Sequence, residues 1–177
     1  MRFLVKLVMY LVAIIVVLAG IAFLLPREVE VSRSVVINAT AKEIFPLVND
    51  LKRHTWSPWV QLDPNAKFSY SGPDAGVGQK VRWQSEDDNV GTGSQEITES
   101  ITDERIETAL DFGAQGNATA GFDFEASDRA TKVTWRFKTD VGNNPVARWF
   151  GLMFDTWIGA EYEKGLTNLK AEVEGQS

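Results

Sequence analysis

Cysteine is absent from the 177-residue sequence. That excludes disulfides, thiolate catalysis and zinc–cysteine sites, and it leaves the redox compartment open. Histidine occurs once, as His54. One imidazole without a second at ligand spacing gives no metal centre, so no metal and no other cofactor is expected. The Gly-x-Ser-x-Gly nucleophile elbow is missing. Gly72, Gly76 and Gly78 do not follow a strand at phosphate-binding spacing, so they mark turns and no nucleotide site. Positive charge is scarce. The net charge is −6, and the remainder is more acidic once Arg2 and Lys6 are set aside. Such a surface repels phosphate backbones, and no basic stripe offsets it, so nucleic acid is not an expected partner. Internal repeats and low-complexity tracts are also lacking.

A long apolar run is present. Residues 3–25 are apolar apart from Lys6, and residues 7–25 form 19 consecutive positions without a charge. At ~1.5 Å per residue that matches a hydrocarbon core of ~30 Å. Pro26 ends the helix. A cleaved signal peptide is the alternative, cut after Ala22 with Gly20 at −3. This run is longer than a signal h-region, and Phe23, Leu24 and Leu25 continue past the cut. The expectation is a transmembrane anchor over residues 1–26 and one soluble domain over residues 27–177. Arg2 and Lys6 precede the run, whereas Arg27 and Arg33 follow it beside Glu28 and Glu30. The balance points to a cytoplasmic N-terminus and a periplasmic or extracellular domain. Asn38-Ala39-Thr40 and Asn117-Ala118-Thr119 match the glycosylation pattern and read as chance matches.

Beyond Pro26 the chain has an α+β pattern. Residues 28–37 form a Val-rich strand with Val29, Val31, Arg33 and Val35 on one face. Thr40 and Glu43 have capping-box spacing, and Pro46 keeps the helix they open short or bent. Residues 50–59 are a polar and aromatic connector. About six strands follow, alternating apolar and polar residues with period 2, with turns between them. Asn144-Pro145 then caps a long helix reaching about Glu172, crowded at its front with Trp149, Phe150, Met153 and Trp157. A helix so apolar must be covered, and a curved antiparallel sheet is the only partner large enough.

This order resembles the START-like, or SRPBCC, superfamily with its helix-grip fold, and within it the polyketide cyclase/dehydrase and lipid-transport branch. The residues that carry the likeness are Ile37-Asn38-Ala39, then the run from Thr40 to Asp50. Trp56-Ser57-Pro58-Trp59, Gly76-Val77-Gly78, Val81-Arg82-Trp83 and, in the last helix, Gly165-Leu166 and Leu169-Lys170 complete it. The likeness covers nearly everything from Arg27 to Glu174, and the apolar N-terminal helix lies outside it. It implies a cavity between sheet and helix for a hydrophobic small molecule or lipid. It does not fix function, since carriers, cyclases and regulatory domains share the fold.

The candidate wall of such a cavity is Trp83, Phe112, Phe122, Phe124, Trp135, Phe137, Trp149, Phe150, Met153 and Trp157, with a filled aromatic core as the bland alternative. Two ionisable groups stand out as catalytic candidates. Glu99 shares strand parity with Ile97 and Ile101, which aims it inward unless twist or a bulge turns it out; buried, its pKa would rise. His54 is a candidate base, or a loop histidine beside Trp56. Asp155 reads as a salt-bridge partner. Three functions remain open. The first is a bilayer-anchored module binding a hydrophobic molecule or lipid. The second is a cyclase or dehydratase using Glu99, His54 or a tyrosine. The third is a regulatory or assembly domain facing a membrane protein partner.

Overall fold

The computed structural model describes residues 2–87 and 90–175. Helix α1 (Arg2–Ala22) is exposed along nearly all its length and is long and apolar enough to cross a membrane. Strand β1 (Glu28–Ile37) follows, then α2 (Ala41–Val48), a 3-10 segment (Leu51–Trp56) and the short α3 (Pro58–Gln61). Six strands come next: β2 (Lys67–Ser71), β3 (Lys80–Gln84), β4 (Thr92–Ile101), β5 (Arg105–Asp111), β6 (Asn117–Ser127) and β7 (Ala130–Asp140). They form one antiparallel sheet in the order β1-β7-β6-β5-β4-β3-β2, a meander with β1 returning beside β7.

Local chemistry explains these boundaries. The Glu43 carboxylate accepts from both the backbone N–H and the hydroxyl of Thr40, at 2.8 and 2.7 Å, and starts α2. The buried Gln79 side chain accepts from Leu51 N–H at 2.7 Å and donates to Asp50 and to the Asp74 carbonyl, both at 2.7 Å. That amide pins the connector over the sheet. Gly72 has φ +85°, and a Cβ there would collide with the Gly78 carbonyl, so the β2–β3 turn requires glycine.

The predicted C-terminal helix is two helices: α4 (Pro145–Gly151), capped by Asn144 as expected, and α5 (Phe154–Glu174). The break falls at Leu152 and Met153. The two pieces pack on different partners, α4 against α1 and α5 against β1 and β7. Gly151 lets the end of α4 lie close against β1, because a Cβ there would sit 2.9 Å from the Val29 side chain. Arg33 on β1 reaches α5, bonding Glu163 at 2.7 Å and Asp155 at 2.9 Å, as read for Asp155 from sequence. The core centres on Trp135. Tyr162 stacks on it at 3.8 Å and 8°, Phe122 stacks at 4.9 Å, and Trp56 meets it edge-on at 5.5 Å.

Candidate ligand cavity

Strand alternation sends Ala120, Phe122, Trp135 and Phe137 to the face covered by α5, and Asp123, Arg136 and Lys138 to the other. The covered face does not fill completely. A cavity of about 350 Å³ remains between the sheet, the connector and the front of α5. Trp83, Phe112, Phe122, Trp135 and Phe137 line it, so the structure brings together five of the ten aromatic and methionine candidates.

The other five lie elsewhere. Phe124 packs on Phe45 in the core, with centroids 5.5 Å apart. Trp149 turns to α1 and donates to the Leu18 carbonyl at 3.2 Å. Phe150 and Trp157 face each other outside the cavity at 6.4 Å, and Met153 is exposed at the helix break. The positions of Trp149, Phe150, Met153 and Trp157 follow from the break itself, which rotates the front of the predicted helix away from the sheet; Phe124 sits on β6, beyond the cavity.

His54 lines the cavity and Glu99 does not. A β-bulge between Ile97 and Glu99 shifts the register, so parity counted from Ile97 fails and Glu99 is exposed beside Glu107. The His54 Nε2 lies 2.8 Å from the Val48 carbonyl. A carbonyl only accepts, so Nε2 carries the proton and Nδ1 keeps its lone pair. Burial holds the imidazole below its ordinary 6.5, only partly offset by that hydrogen bond, so it is neutral at pH 7.

Two buried residues of the wall, Tyr162 and Ser57, carry hydroxyls and were not named individually from sequence. Tyr162 is 3% exposed, lines the cavity, and makes no hydrogen bond with the described residues. Burial raises its pKa, so it is a phenol that can donate. Ser57 at the connector is likewise without a hydroxyl partner among the described residues. Phe154, Ile158 and Tyr162 recur at intervals of four on α5, a helical stripe that could have flagged Tyr162 from sequence. Among the described residues no cluster of three or more acidic or histidine side chains is placed to hold a metal. A broader depression of about 510 Å³ lies on the opposite face of the sheet. Its lysines are already paired, Lys80 with Glu96 and Lys138 with Glu28 and Glu30.

Sheet register fixes where the cavity ends. The pairs Gln84–Thr92, Ser94–Asp111, Asp111–Asn117, Ala118–Thr139 and Glu28–Asp140 all lie at one end of the sheet. Trp83, Val90, Phe112, Gly116 and Thr139 line the cavity at that end. It is also the end where α1 enters β1 and where β7 leaves for α4.

Among curated proteins none matches the chain. Solved structures do. A protein of Nitrosospira multiformis aligns over 84% of this chain and 99% of its own, with TM-score 0.60 and 17% identity. A Staphylococcus aureus protein of unknown function aligns over 84% and 95%, with TM-score 0.64 and 11% identity. The di-domain aromatase/cyclase StfQ of the steffimycin biosynthetic pathway aligns over 84% of this chain and 51% of its own, with TM-score 0.63 and 9% identity. At these identities the likeness is one of fold. The family model described as polyketide cyclase / dehydrase and lipid transport matches residues 28–174, from the first strand of the sheet to the end of α5. With the helix-grip sheet, its cavity and that match in agreement, the chain belongs to the polyketide cyclase/dehydrase and lipid-transport family.

Proposed function

We propose that the protein is a membrane-anchored binding module that takes one small apolar molecule from the bilayer into the cavity beneath α5. One observation carries the reading: the aromatic-walled cavity runs to the same end of the sheet at which α1 enters the domain. If α1 crosses the membrane, that end faces the lipid. The cavity volume, about 350 Å³, sits low in the ~300–1,000 Å³ range of ligand sites, which suits a small molecule better than a bulky lipid. The wall is apolar, and Tyr162, Ser57 and His54 supply a few polar groups able to orient one polar end. Arg2 and Lys6 support a cytoplasmic N-terminus, with the domain on the periplasmic or extracellular side.

Native mass spectrometry of the full-length protein, gently extracted from its own membrane, tests this. A stoichiometric, chemically uniform apolar molecule is expected. A protein that stays empty when offered membrane extract counts against it.

His54 favours a second reading, a cyclase or dehydratase in which the neutral imidazole moves a proton through Nδ1. The molecules bound to wild type and to His54→Asn then differ by one water or by a closed ring. Identical molecules leave binding alone.

A further inference from the structure

We infer that the elbow between α4 and α5 is a second membrane contact, seated in the interfacial layer of the bilayer beside the end of α1. The inference rests on the reading that α1 crosses a membrane, and adds to it a surface that the anchor alone does not require.

Four observations converge. First, α4 is fastened to the last turns of α1. Arg148, buried, donates to the carbonyls of Phe23 and Leu25 at 3.1 and 3.2 Å and lies over the Phe23 ring at 5.3 Å. Trp149 bonds the Leu18 carbonyl, four residues before the end of α1 and thus ~6 Å further along its axis. A spanning α1 therefore draws α4 down to the level of its own final turn.

Second, the side chains left outside are apolar. Val146 is 59% exposed, Phe150 50%, Leu152 54% and Trp157 48%. In water such a contiguous patch is unfavourable; beside a bilayer it is the composition of an interfacial segment.

Third, this surface carries little unpaired charge. Between Pro145 and Ile158 the only charged residues are Arg148, spent on carbonyls, and Asp155, held by Arg33 at 2.9 Å. The contact is thus driven by apolar burial and needs no anionic lipid.

Fourth, the patch continues the exposed face of α1. Ile21, Phe23 and Leu24 are exposed at the turn where Arg148 binds. The occupant is the bilayer itself, since a protein partner would have to share this surface with the lipid around α1.

The elbow has two sides. Met153 and Trp157 are exposed, while Phe154 and Ile158, from the same turns, line the cavity. Seating the elbow in the interface leaves only the front of α5 itself between lipid and cavity.

The absence of cysteine makes the test clean. Single cysteines replace Val12, Phe150, Leu152 or Lys164 in the full-length chain, each carrying an environment-sensitive fluorophore, in zwitterionic phosphatidylcholine vesicles. Lipids bearing a nitroxide at a shallow or a deep acyl position serve as quenchers. The expected result is a blue shift and shallow quenching at 150 and 152, strongest deep quenching at 12, and neither at 164. Quenching at 12 with 150 and 152 behaving like 164 overturns the elbow contact and leaves the anchor standing. No quenching at 12 overturns the anchor, and the elbow with it. Leu152→Cys, at an exposed position between helices, keeps the test decisive should Phe150→Cys not fold.

Discussion

His54 and Tyr162 are the two side chains where chemistry and burial meet in the cavity wall. Burial keeps the folded His54 below its ordinary 6.5, so the unfolded chain binds the extra proton first as pH falls. The stability tied to a neutral His54 is complete above that value and is lost as pH drops through 6.5 toward the folded pKa. Thermal unfolding from about pH 8 to pH 5 is expected to show a falling midpoint. His54→Gln should flatten it. The stability from Asp140, held low by its hydrogen bond to Arg27, is complete above its ordinary 3.8 and is lost only at more acidic pH. Tyr162→Phe keeps the ring on Trp135 and removes a hydroxyl with no hydrogen-bond partner among the described residues. Thermal stability should therefore hold, while the affinity of the bound molecule falls by about 0.5–1.5 kcal/mol if the phenol anchors its polar end. Titration calorimetry with the recovered molecule reads that loss. Equal affinity in both proteins would take Tyr162 out of recognition. His54 was visible in the sequence because it stands alone among aromatics. The orientation of Glu99 stayed open in the sequence, inward by parity or outward by twist or a bulge, because parity runs only as far as the next bulge and the bulge at Thr98 carries no signature in residue type.

At the scale of elements, the strands were legible because each alternates with period 2, and α2 because Thr40 and Glu43 announce it. The helix break was not legible. Its cause is tertiary: α4 follows α1 and α5 follows the sheet, and the stretch from Trp149 to Trp157 holds no proline to mark the change. That break sends Trp149, Phe150, Met153 and Trp157 out of the wall that composition assigned to them. Gly165 shows the opposite constraint within α5. A Cβ at that position would stand 2.7 Å from the Trp135 ring and 2.9 Å from Pro58, so the helix lies on the tryptophan only because the side chain is missing. Gly165→Val is expected to destabilise the domain by about 1–3 kcal/mol through overpacking. Denaturant unfolding reads the shift, and an unchanged midpoint would mean that α5 can lift off the sheet at little cost.

Across the whole molecule, the apolar helix and the domain are joined by more than a peptide linker. Leu25, Pro26 and Arg27 alone would let the domain swing, and under the proposed function a swinging domain would present its cavity to lipid only part of the time. Arg148 opposes this by holding carbonyls at the end of α1 and, at 3.0 Å, the Gly142 carbonyl at the exit from β7. Arg27 adds an exposed ion pair to Asp140, worth little in water. Arg148→Met keeps the stem in place and removes every donor, leaving those carbonyls without their charged partner at a cost of about 1.5–3 kcal/mol. The larger effect should be geometric. Spin labels at Val12→Cys and Lys164→Cys in the full-length protein report the distance from the middle of α1 to the outer face of α5. A narrow distribution in the parent and a broad one with Arg148→Met is the expected pair of results. Equal widths would assign the orientation to the Trp149–Leu18 contact and to the packing of α4, and leave Arg148 a purely local cap. If the distribution does broaden, uptake of the apolar molecule from vesicles should slow in the same variant while its affinity, once bound, stays the same, because the cavity wall contains no part of the clamp.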